Sequence, residues 1–115
     1  MIHIKRVYET PKEEDGYRVL VDRLWPRGLK KEAAKIDLWM KDVAPSDPLR
    51  KSFHHQAMKW PIFEKKYQAE LKDKKDSLAE LKKLEKEHGT LTLLFGARDA
   101  EHNQAVILAE ALRTK

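Results

Sequence analysis

Apolar positions along this chain switch between a period of two and a period near 3.6, and the switches mark its elements. Ile2 to Tyr8 alternates and carries β-branched residues, which predicts a first strand. Thr10 to Gly16 is charged, contains Pro11 and ends on a glycine, so it reads as a loop. Tyr17 to Val21 predicts the second strand, and Lys30 to Lys35 suits a short helix. Ile36 to Lys41 reads as a short strand or extended segment. Leu91 to Phe95 is a nearly continuous apolar run of strand length, the pattern of a strand buried on both faces.

Helical spacing dominates the middle and the end. In Pro45-Ser46-Asp47-Pro48, Ser46 or Asp47 can cap a helix, and Pro48 is tolerated in a first turn where its missing N–H has no partner. That helix is expected to reach about His54. Trp60-Pro61 opens another, with Trp60, Phe63, Tyr67 and Leu71 on one face. Asp76 or Ser77 is the expected cap of a helix bearing Leu78, Leu81 and Leu84, stopped by Gly89. Asp99 is the expected cap of the last helix, Ala100 to Arg113. Strands separated by helices, without repeats or a linker, predict one compact α/β layered domain over residues 1–115. Its sheet is expected to be small, mainly parallel and flanked by helices.

Composition narrows the function classes. There is no cysteine, which excludes a disulfide framework, a thiol nucleophile and a Cys-based zinc site. No apolar stretch has the length needed to span a bilayer, and the N-terminus lacks a signal-peptide layout, so a cytoplasmic protein is the simplest expectation. The net charge of +5 raises nucleic acid as a partner. Its distribution weakens that reading: between Lys59 and Glu87, nine lysines are intermixed with seven acidic residues, the pattern of a solvated helix face.

Two segments carry candidate chemistry. Asp22-Arg23-Leu24-Trp25-Pro26-Arg27-Gly28 follows the second strand, at the strand end where α/β folds bind ligands. Arg23 and Arg27 offer planar charged forks suited to carboxylate or phosphate. Trp25 offers an apolar face and Gly28 room for close backbone approach. The alternative is structural, with Asp22 paired to an arginine and Trp25 plugging the core. Gly96-Ala97-Arg98-Asp99 lies between the Leu91 strand and the last helix, where backbone N–H groups can hold an anion. Arg98 adds charge, and His102 and Asn103 add polar contacts. Here too a structural alternative stands, with Asp99 a plain cap. If the two strands are parallel neighbours, both loops meet at one end of the sheet. Neither segment is a P-loop or a dinucleotide fingerprint, and the histidines have no metal-ligand spacing, so no metal site is expected. His54 or His55 near the arginines can act as an acid or base.

The motif from Asp22 to Gly28 resembles the hallmark of the YeaO-like family, a domain of unknown function called DUF488. The likeness continues through Trp39-Met40-Lys41-Asp42-Val43-Ala44-Pro45-Ser46, Leu49-Arg50-Lys51 and Phe53-His54-His55. It then runs through Trp60, Phe63, Tyr67 and Glu70-Leu71 to the segment Leu91 to Asp99, His102-Asn103 and Ala105-Val106. The family pattern singles out Asp22, Arg23, Trp25, Arg27, His55, Arg98, Asp99 and Asn103, and prefers His55 to His54. This chain departs from it at Ser52, His54, Gln56 and Phe95. Longer relatives carry cysteines in the last strand–loop region, and their thiol chemistry does not carry over. The family has no established activity and names no cofactor.

The sequence therefore leads to an anionic small molecule, phosphate- or nucleotide-like, held by Arg23, Trp25, Arg27, Arg98 and Asn103. Asp22 and Asp99 would orient the arginines, and His55 would move a proton if there is a reaction. The alternative is a basic nucleic-acid-binding or regulatory module using Lys65, Lys66, Lys74 and Lys75. A third reading, an interaction patch formed by Trp39, Met40 and Trp60, competes with core burial of each. Oligomeric state has no sequence signal.

Overall fold

Four parallel strands form the sheet, in the order β1-β4-β2-β3. The structure, a computed structural model, describes residues 1–54 and 58–114. The strands are β1 (Ile2–Arg6), β2 (Tyr17–Leu20), β3 (Leu38–Trp39) and β4 (Leu91–Phe95). The helices are α1 (Lys31–Ala34), α2 (Asp47–His54), α3 (Trp60–Lys72), α4 (Lys75–His88) and α5 (Gln104–Arg113). The expected class holds: a single α/β domain with a parallel sheet.

Strand β4 lies between β1 and β2, pairing Ile2 with Leu91, Ile4 with Leu93, and Val19 with Leu93. A central strand has both faces covered, which is why its five residues are all buried and nearly all apolar. Leu91, Leu93 and Phe95 join Val19 and Val21 in the main core, under Phe63, Tyr67 and Leu71 of α3, Leu81 of α4 and Leu108 and Leu112 of α5. Tyr67 is fully buried, and its hydroxyl donates to the Val43 carbonyl at 2.5 Å.

The opposite face is covered more thinly, by α1 and an aromatic loop. Leu20, Leu94 and Val7 pack there against Trp25, Leu29, Ile36 and Trp39, with Trp25 and Trp39 edge to face at 5.3 Å. Trp39, Met40 and Trp60 each pack against a core cluster, as the burial reading expects. Further down the same face, Arg18 donates to Asp15 at 2.5 Å and to the carbonyls of Ala34 and Lys35, while Lys5 reaches the same carboxylate at 3.0 Å. Burial would raise the Asp15 pKa, but hydrogen bonds from the Lys12 N–H, Lys5 and Arg18 outweigh it and hold the carboxyl below its usual value.

Two helix starts differ from the sequence reading. Helix α5 starts at Gln104, and its cap is Asn103, not Asp99: the Asn103 side chain accepts from the N–H groups of Ala105 and Val106. Helix α4 starts at Lys75, so Asp76 sits in its first turn instead of capping it, and Lys74 at the cap position makes no side-chain cap bond. The segment from Ile36 to Lys41 contains a short strand, as the sequence reading expects. Helix α2 behaves as expected, with the Ser46 hydroxyl accepting from the Leu49 N–H.

Candidate functional site

Because β1, β4 and β2 are parallel neighbours, the segments leaving their carboxyl ends converge, and a pocket of about 310 Å³ opens there. Its walls come from the Asp22–Arg27 loop, Gly96 and Ala97 after β4, Pro45 and Arg50 around α2, and His102 to Gln104 before α5. Phe53 and Phe63 supply apolar surface, and Tyr8 closes one side.

Asp22 is the joint between the two loops. Its Oδ2 accepts from the Gly96 N–H at 2.8 Å, and its Oδ1 accepts from the Gln104 side-chain amide. Its own carbonyl accepts from Trp39 Nε1 at 2.7 Å. A Cβ on Gly96 would sit 2.8 Å from Asp22 Oδ2, so the close approach excludes any larger residue without rearrangement. Burial raises the Asp22 pKa, an effect partly offset by the bonds from Gly96 and Gln104. Among the residues whose side chains are described, none of the ion pairs found involves this carboxylate.

Four arginines near these loops sit in four different environments. Arg23 Nε donates to the Pro45 carbonyl at 3.0 Å and its Nη2 to the Ala44 carbonyl at 3.3 Å, so it ties the β2 loop to the segment entering α2. Arg50 lies in the pocket wall with a buried Nε that has no hydrogen-bond partner, and a 3.5 Å contact from Nη2 to Asp47. Arg27 is exposed at the pocket's edge, its carbonyl accepting from the Tyr8 hydroxyl. Arg98 is exposed and lies outside the pocket lining.

Several roles assigned from sequence change. Asp22 does not orient an arginine; it joins a backbone N–H to a glutamine. Asp99 is also outside the lining, and its carboxylate accepts from the N–H groups of Glu101 and His102 and from His102 Nδ1 at 2.9 Å. Those hydrogen bonds, Glu101 first and the His102 side chain next, lower its pKa. Asn103 lines the pocket, yet its amide oxygen caps α5 and its amide nitrogen donates to the Asp99 carbonyl. Trp25 lines the pocket with its indole N–H tied to the Leu29 carbonyl. Gly28 has a φ of +76°, which the turn requires, and open space where a Cβ would stand. His55 lies outside the described residues.

Sequence reasoning missed Arg50 and Gln104 and gave His102 only a minor part. Its Nδ1 lies 2.9 Å from Asp99 Oδ2, and the ring packs edge to face with Trp60 at 5.1 Å. No group of three or more His, Cys, Asp or Glu suited to a metal ion occurs among the described residues. None of their helices is long and apolar enough to cross a membrane.

Comparison with known proteins places this architecture in a family. The chain is 42% identical to the uncharacterized protein YeaO of Escherichia coli over 113 residues, covering 98% of this chain and 97% of the relative. It is 41% identical over 111 residues to the uncharacterized proteins Rv3073c of Mycobacterium tuberculosis and Mb3100c of Mycobacterium bovis, covering 96% of this chain and 92% of each relative. No solved structure matches it significantly. A family model described as the inactive DUF488-N3 subclade matches residues 1–115, and the chain belongs to this YeaO-like DUF488 family.

Proposed function

We propose that this protein binds a small anionic molecule in the pocket at the carboxyl ends of β1, β4 and β2, without turning it over. The observation that carries the reading is Arg50 Nε, a buried donor in the pocket wall that has no acceptor. Buried polar groups are nearly always hydrogen-bonded, so an orphaned donor on a guanidinium that lines an open cavity supports a ligand oxygen there, reached by a small shift of the Arg50 side chain. Arg23 adds its remaining donors and Arg27 adds charge at the edge. A volume of about 310 Å³ lies in the range of small-molecule sites, and Phe53 and Phe63 supply the apolar wall such sites have.

Binding without chemistry fits the family's description as inactive and the absence of any cysteine. His102, oriented by Asp99, lines the pocket as well. Asn103 acts through the start of α5, and Arg98 makes no contact in this proposal.

Arg50→Met is the cleanest test, because Arg50 holds no backbone carbonyl and the aliphatic stem is retained. Inorganic phosphate and ethyl phosphate are expected to raise the melting temperature of the wild type, a ligand at 100 times its Kd giving about 2.7 kcal/mol. Arg50→Met should lose that response while melting normally without ligand. An unchanged response in the variant would sink the site. The nucleic-acid reading predicts instead steeply salt-dependent binding through Lys65, Lys66 and Lys75. Lys74, the fourth lysine of that set, already donates to the Asp42 carbonyl.

A further inference from the structure

We propose that the ligand is a small zwitterion, its anionic group on Arg50 and Arg23 and its ammonium on Asp22. The proposal rests on the binding role just described and names the class of molecule the pocket takes.

Two unmatched groups of opposite sign share one cavity. On one side is the orphaned Nε of Arg50. On the other is Asp22, whose two oxygens accept from two neutral donors, the Gly96 N–H and the Gln104 amide. Neither donor is charged, so when Asp22 is ionised these bonds leave its charge unbalanced. A largely buried charge without a counter-ion is costly, and structures retain one where something else supplies the opposite charge. The neighbouring Arg23 does not supply it: its guanidinium is directed to the carbonyls of Ala44 and Pro45, with Asp47 at 3.8 Å.

A simple anion would satisfy Arg50 and bring a second negative charge toward Asp22. A simple cation would satisfy Asp22 and meet the arginines. A molecule carrying both charges on a short carbon chain satisfies both ends, and Phe53 and Phe63 suit the chain between them. Amino acids and aminoalkyl phosphates share this chemistry and differ only in the anionic group.

Matched probes isolate the ammonium. Phosphoethanolamine is compared with ethyl phosphate, and β-alanine with propionate, by calorimetric or thermal-shift titration of the full chain. The ammonium-bearing member of at least one pair is expected to bind about tenfold more tightly, equivalent to about 1.4 kcal/mol. The pair that responds identifies the anionic group. Asp22→Asn, which keeps an acceptor for Gly96, should reduce the difference to within about twofold while the plain anion still binds. Equal affinities within both pairs in the wild type would overturn the zwitterion and leave the anion site standing. No binding of any probe would overturn the anion site itself. The wild-type comparison decides the matter even if the variant folds poorly.

Discussion

Replacing Gly96 by alanine adds one methyl group 2.8 Å from Asp22 Oδ2 and 3.8 Å from Pro26 Cβ. Gly96 does not occupy the left-handed region, so the backbone itself accepts alanine. On conformational entropy alone the change would stabilise the fold by about 0.4–1 kcal/mol, because alanine restricts the unfolded chain. Against this, Asp22 must withdraw, and the Gly96 N–H loses a bond to a charged acceptor worth about 1.5–3 kcal/mol. The larger effect wins, leaving a net loss of about 1–2 kcal/mol. For a chain of this size that is a fall in melting temperature of roughly 3–10 °C. Urea denaturation of wild type and variant measures it. A variant as stable as the wild type, or more stable, would refute the claim that Asp22 clamps the two loops together through Gly96.

Asp22→Asn should raise stability at neutral pH. Burial raises the folded-state pKa of Asp22, so ionisation at neutral pH works against folding, and the wild type gains stability as pH falls through that raised value. The advantage of asparagine should shrink over the same window and vanish below the unfolded value of 3.8, as thermal melts across the acid range will read. A melting temperature below wild type at pH 7 would contradict this. Arg18→Met leaves Asp15 with Lys5 and the Lys12 N–H and strips donors from the Ala34 and Lys35 carbonyls, so it should cost about 1.5–3 kcal/mol in chemical denaturation. Asp15 has the opposite sign from Asp22: its lowered pKa gives stability that is present above 3.8 and lost as pH falls through the folded value. Asp15→Asn should therefore flatten the acid limb of the stability curve.

The sheet was legible because burial on two faces leaves a strong mark: the run from Leu91 to Phe95 can hardly be anything but a central strand. Convergence of the two loops followed from parallel neighbours and needed no side-chain information. The site's wiring was not legible, because it joins residues far apart in the chain. Asp22 and Gln104 are 82 positions apart and give no local sign of each other. Arg50 looks like any basic residue on a short helix until the pocket forms around its Nε. Asp99 and Asn103 are both good cap residues, and the sequence reading chose the first. The apolar spacing that starts at Ala105 already favoured the second. The thinly covered face also escaped notice, since Trp25 and Trp39 act as a lid of side chains where a longer helix would otherwise be needed.

Backbone amide chemical shifts during titration with phosphoethanolamine and, separately, β-alanine test the central claim most directly, read for whichever of the two binds. The account predicts that the largest changes fall on Asp22, Arg23, Arg50, Gly96 and Gln104, and that Arg50→Met abolishes them. Changes centred on Lys65, Lys66 and Lys75, or changes at the pocket that survive in Arg50→Met, would contradict it.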